Sequence, residues 1–143
     1  AGKGKRKMDK MHKPILCLDF DGVIHRYDSG WKGAATITDD ATEGFFEWLD
    51  RAARVFKIVV YSSRSKDPDA ITAMQFWMVE QRRKWREAGG ESVIKDGTPV
   101  EIEFSDKKPA AFLTIDDRAL TFSGNWRDYE PQELINFKPW NKR

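Results

Sequence analysis

Residues 14–22 read PILCLDFDG. Four consecutive apolar residues, Ile15 to Leu18, stop abruptly at Asp19, and a second carboxylate follows at Asp21. A short continuous apolar run fits a strand buried on both faces, as in a parallel sheet. Alternate residues of an extended chain share a face, so Asp19 and Asp21 project toward one region at the strand tip. One acid there would serve as a turn or a helix cap. Two, split by Phe20 and leading into Gly22, which lets the backbone turn sharply away, point to chemistry.

Working outward, residues 22–37 hold three glycines and scattered aromatics and read as a loop with a small hairpin. Ala41, Phe45, Trp48, Leu49 and Ala52 recur at helical spacing behind the candidate caps Thr38, Asp39 and Asp40, which predicts a helix over about 40–53. VFKIVVY at 55–61 is β-branched and aromatic, a second strand. After the turn-rich SSRSKDPD, Asp67 caps and Pro68 starts a helix over about 68–88, with Ile71, Met74, Met78 and Trp85 on one face. VEIEF at 100–104 and AFLTI at 111–115 supply two more strands, and a short helix falls near 131–136. Alternation of strand and helix predicts an α/β fold with a mainly parallel sheet and right-handed crossovers.

The 143 residues suit one domain with one core. Of 25 Lys/Arg and 23 Asp/Glu, six basic residues and one acid lie in residues 1–13, leaving 19 and 22 in the rest. The expected organisation is a basic, disordered tail over 1–13 and a mildly acidic domain over 14–143. Such a tail offers contact with nucleic acid, although a plain solubilising terminus is the simpler reading. The single cysteine, Cys17, allows no internal disulfide and fits a reducing compartment. No apolar stretch approaches the roughly 20 residues that span a bilayer, and the N-terminus lacks the apolar centre of a secretory signal. The expectation is a cytoplasmic protein without membrane contact.

In parallel α/β sheets the working residues gather beyond the carboxyl ends of the strands. Here those ends carry Asp19 and Asp21, then Ser62 and Ser63, then Asp116 and Asp117, with Lys107 and Lys108 just before the last strand. Carboxylates crowded in one crevice repel, and they relieve this by taking up protons or a cation. With hard oxygen ligands and no Cys or His cluster, the cation selected is Mg2+. A hydroxyl and an ammonium beside it suit a phosphate group. On this reading Asp19 attacks phosphorus, and Asp21 protonates the leaving oxygen and later activates water.

LDFDGV, VVYSSR, a Lys-Pro step and TIDD, in that order at strand ends, resemble the four motifs of the haloacid dehalogenase-like (HAD) superfamily over about residues 14–120. The resemblance implies a Rossmann-like three-layer sandwich and an Mg2+-dependent phosphatase working through an aspartyl-phosphate. It implies Asp19 as nucleophile and metal ligand, and Asp21 as general acid/base with its backbone carbonyl on the metal. Ser62 would hold phosphoryl oxygens, Lys108 would neutralise phosphate and nucleophile charge, and Asp116 and Asp117 would complete the metal site. Ser63 and Lys107 remain alternatives for the motif serine and lysine, and Ser63, Arg64 and Gly22 are candidate substrate contacts. The aspartate at 21 separates the chain from the dehalogenases of that superfamily.

About 40 residues lie between Asp21 and Ser62 and about 45 between Ser62 and Lys108, mostly consumed by core elements. That leaves no room for a full cap domain, so the site is expected to be open. An open site suits a large phosphorylated substrate, or a small one enclosed by an oligomer partner. The Ser-x-Arg at 62–64 resembles the polynucleotide kinase-phosphatase branch, which makes a nucleotide or phosphorylated nucleic-acid end a candidate substrate. The alternatives are a non-catalytic binding module for nucleic acid or protein, and a phosphotransferase. His25 and Arg26 follow the first motif and could touch substrate, but exposed loop residues are the simpler reading; Trp126, Tyr129, Phe137 and Trp140 could stack on bases, but staples of a C-terminal segment are the simpler reading.

Overall fold

A computed structural model of the chain describes residues 12–98 and 100–142. Most of the expected basic tail, residues 1–11, lies outside the described residues. Four strands form one sheet: β1 (Ile15–Leu18), β2 (Lys57–Val60), β3 (Ile102–Phe104) and β4 (Leu113–Ile115), ordered β3-β2-β1-β4. All pairings are parallel. The longer helices are α1 (Phe45–Ala52) and α2 (Pro68–Glu87), and α3 (Pro131–Leu134) is a single turn. The chain is therefore α/β, as the strand-helix alternation implies.

From β1 to β2 and from β2 to β3 the chain steps in one direction across the sheet. Right-handed crossovers then put α1 and α2 on the same face. The core agrees with this. Leu16, Leu18, Ile58 and Val60 share that face through the register Leu16↔Ile58 and Leu18↔Val60. They cluster with Phe46 and Leu49 of α1 and with Met74, Trp77 and Met78 of α2. The opposite face, with Cys17 and Val59, is also buried. The one further α-helix among the described residues, α3, is a single turn whose four residues are all exposed, so it does not supply the second helical layer of the expected three-layer sandwich.

Two local departures have clear causes. The first helix starts at Phe45 rather than near residue 40, behind Gly44 at φ 81°. The expected caps are engaged elsewhere: Asp39 accepts from the backbone N–H and hydroxyl of Ser29, and Asp40 accepts from Gln81 Nε2. Thr42 is tied through its hydroxyl to the Val23 carbonyl. These bonds hold 39–42 against the loop after β1 and against α2 instead of in a helical turn. By contrast Asp67 caps α2 as expected, accepting from Asp69 N–H with Pro68 in the first turn. The basic end of α2 is less solvated than its composition suggests, since Arg82 donates to the fully buried Asp50 of α1 at 2.8 Å.

Candidate functional site

Strand register assembles the site. Leu18 pairs with Ile115, and Asp19 N–H donates to the Ile115 carbonyl at 3.0 Å. One further step along both strands sets Asp19 beside Asp116. One carboxylate oxygen from each of Asp19, Asp116 and Asp117 lies within 4.8 Å of the others. Three acids some 100 positions apart thus meet at the carboxyl ends of β1 and β4.

Between the acids of Asp19-Phe20-Asp21, Phe20 turns inward. It is fully buried, stacked with His25 and edge-on to Trp77 at 5.0 Å. Its carbonyl accepts the N–H groups of Val23, Ile24 and His25, closing a tight loop. The dipeptide spacing therefore places one anchor in the core and a carboxylate on each side of it.

Asp21 does not join the other three acids. Its carboxylate accepts from Arg64 Nε at 2.9 and 3.1 Å and meets His25 Nδ1 at 2.9 Å. His25 Nε2 accepts the Asp39 N–H, so the proton sits on Nδ1, which donates to Asp21. His25 is fully buried, which corrects its reading as an exposed loop residue; Arg26 is exposed and paired with Asp28. The expected substrate contact Arg64 is also fully buried. Its Nη1 donates to the carbonyls of Gly33, Ala34 and Thr36, and its guanidinium lies 4.6 Å from the Trp31 ring centre. Arg64 and His25 thus position Asp21. The composition of the loop gives no sign of this clamp, because its partners are backbone carbonyls and a fold-back that sequence spacing does not specify.

Of the two serines, Ser62 is buried and Ser63 exposed. Ser62 Oγ accepts the Arg64 N–H, which leaves its hydroxyl proton for another acceptor. Lys107 and Lys108 are both exposed, and neither ammonium makes an ion pair among the described residues. Gly22 is buried at φ 79° with its α-carbon against Asp117. The expected C-terminal staples divide. Tyr129 packs with Phe122 and Trp126, while the Trp140 indole N–H donates to the Gly22 carbonyl at 2.7 Å.

The electrostatics of the trio follow from its geometry. Burial pushes the Asp19 carboxyl up to about 7; the charges of Asp116 and Asp117 add to this, and the Phe20 N–H offsets part of it. Burial also raises Asp117. None of the three acids forms an ion pair with a basic side chain among the described residues. Three converging carboxylates with no counter-ion of their own, all hard oxygen donors, fit a divalent cation such as Mg2+. The cleft of about 490 Å³ between α1, α2 and residues 97–102 shares no residue with this cluster. Its lining is apolar apart from Thr98 and the arginines 82, 83 and 86 and contains no carboxylate, so it holds no counterpart of the acid cluster.

Among the described residues no helix is long and apolar enough to cross a membrane. Searches of family models, curated proteins and solved structures find no match to the chain.

Proposed function

We propose that the chain is an Mg2+-dependent phosphomonoester hydrolase built on a Rossmann-like HAD core without a full cap domain. The observation that carries this reading is the meeting of Asp19, Asp116 and Asp117 within 4.8 Å at adjacent parallel strand ends, beside a clamped Asp21. Asp19, Asp116 and Asp117, with the Asp21 backbone carbonyl, would hold Mg2+. The bound ion supplies Lewis-acid neutralisation of phosphate oxygens.

The remaining chemistry belongs to side chains. An Asp19 carboxylate oxygen forms a bond to phosphorus as the ester P–O bond breaks. Asp21, entering this step protonated, gives its proton to the leaving alkoxide, so an alcohol departs, an aspartyl-phosphate remains and Asp21 is left as the carboxylate that accepts from Arg64 and His25. Asp21 then takes a proton from water, whose oxygen attacks phosphorus, releasing inorganic phosphate and restoring both Asp19 and the protonated Asp21. Arg64 and His25, which bond the Asp21 carboxylate, would orient it for both transfers. Ser62 donates its hydroxyl proton to a phosphoryl oxygen, and Lys108 approaches from the segment before β4 to balance charge. Cys17, a buried free thiol, fits action in the reducing cytoplasm.

Phosphate release from a panel of nucleotides, sugar phosphates, phosphopeptides and 3′- or 5′-phosphorylated oligonucleotides, with Mg2+, tests the reading. At least one ester should be hydrolysed, with activity lost on chelation and in Asp19→Asn. Undiminished activity in Asp19→Asn would overturn it. Phosphate passed to an added alcohol in place of water would reassign the chain as a phosphotransferase.

A further inference from the structure

Two half-exposed tryptophans flank Asp21, one bonded to Gly22 and one over Arg64. Trp140 donates its indole N–H to the Gly22 carbonyl at 2.7 Å yet remains 53% exposed. Asn141 Nδ2 donates to the Arg26 carbonyl and fixes the same C-terminal turn on the loop after β1. Trp31 covers the Arg64 guanidinium that grips Asp21 and is 51% exposed. Of the other C-terminal aromatics, Phe122, Trp126 and Tyr129 pack on one another. Trp140 has no ring partner among the described residues. Its hydrogen bond holds the ring by its edge, so a planar group can be met by its face.

Position adds to this. Gly22 touches Trp140 through its carbonyl and Asp117 through its α-carbon, so the indole stands one residue from the acids. Lys32 and Lys142, one and two residues from these tryptophans, are exposed and supply positive charge beside them.

Resting on the hydrolase reading for its phosphate, we propose that Trp140 is a stacking surface for a nucleobase, with Trp31, over Arg64, as a second such surface. The substrate class is then a phosphomonoester that carries a base, either a mononucleotide or a phosphorylated nucleic-acid terminus.

The test is equilibrium binding to the full chain carrying Asp19→Asn, which stops turnover, in magnesium buffer. The probes are adenosine 3′-monophosphate, a short 3′-phosphorylated oligonucleotide, ribose 5-phosphate and glycerol phosphate. The two base-bearing probes should bind about ten-fold more tightly than the two base-free ones. Adding Trp140→Ala should erase that difference, whereas Trp140→Phe, which keeps a ring but not the N–H, should retain most of it. Trp31→Ala gives a second reading that does not disturb the Gly22 bond. Equal affinity for all four probes, or an equal loss for all four in Trp140→Ala, would overturn the proposal. Tighter, salt-sensitive binding of the oligonucleotide would identify the nucleic-acid terminus, and parity with the mononucleotide the smaller ligand. Base-selective binding without phosphate release by the unsubstituted chain would sink the hydrolase reading and leave this one standing. Rapid hydrolysis without base selectivity would do the reverse.

Discussion

A β-carbon on Gly22 would stand 2.2 Å from Asp117 Oδ2 and 2.8 Å from Asp117 Cγ. The glycine next to the first acid pair and the last acid of the cluster therefore occupy shared space. Gly22→Ala adds left-handed backbone strain to that clash. Its expected result is a loss of about 1–3 kcal/mol of stability together with weakened divalent-cation binding, measured by denaturant melts with and without Mg2+. Wild-type cation affinity in Gly22→Ala would show that Asp117 moves away without consequence.

The raised Asp19 carboxyl gives a pH dependence with a definite sign. Its folded-state pKa of about 7 lies above the ordinary 3.8, so the cation-free folded chain binds the proton more tightly than the unfolded one. The resulting stability is fully present below about pH 4 and is lost as pH rises through about 7. Mg2+ competes for the same oxygens and should restore stability above that range. Melting temperature followed from pH 5 to pH 9 in EDTA and in Mg2+ should show two curves that separate with rising pH. Curves that stay parallel would contradict the shared use of Asp19.

Arg64 and His25 are predicted to act on turnover through Asp21 rather than on the cation. Arg64→Lys cannot reproduce a fork that bonds Asp21 and three carbonyls at once. His25→Gln retains one donor in place of the fixed Nδ1–H. Each should lower kcat about 100-fold while Mg2+ affinity stays within about three-fold, with melting temperature as the control for folding. A collapse of Mg2+ affinity in a well-folded variant would place these residues in the cation site instead.

Asp50 and Arg82 form a separate, structural pair. Burial alone would raise the Asp50 carboxyl, but bonds from Arg82 and Ser92 outweigh it and hold the group below its ordinary 3.8. A lowered folded pKa contributes stability above the ordinary value that is lost as pH falls through the folded one. Asp50→Ala would leave Arg82 without its partner and cost about 2–3 kcal/mol, seen in urea melts at pH 7. That penalty should shrink below about pH 4, and a penalty constant down to pH 3 would contradict the assignment.

How much of this was legible in the sequence differs by element. ILCL and KIVV announced β1 and β2 because continuous apolar runs have few other homes, and Asp67-Pro68 announced the start of α2 because cap and proline chemistry is local. The meeting of Asp19 with Asp116 and Asp117 was legible because acids at the tips of parallel strands share one edge of the sheet. The start of α1 was not, since Asp39 and Asp40 are drawn off by Ser29 and Gln81, partners the local pattern does not contain. Nor was the clamp on Asp21: Arg64 and His25 carry ordinary loop signatures and gain their meaning only from burial. Trp140 was legible as an aromatic but not as a neighbour of Gly22, 118 positions away.

Asp19 and Asp116 are expected to share one divalent ion. The decisive experiment is paramagnetic resonance of Mn2+, used as a stand-in for Mg2+ and titrated into the full chain at pH 8. One saturable site is predicted in the unsubstituted protein. Affinity should fall at least about ten-fold in Asp19→Asn and in Asp116→Asn, and stay nearly unchanged in Asp21→Asn, whose side chain faces Arg64. No saturable site, or one untouched by both Asp19→Asn and Asp116→Asn, would contradict the account.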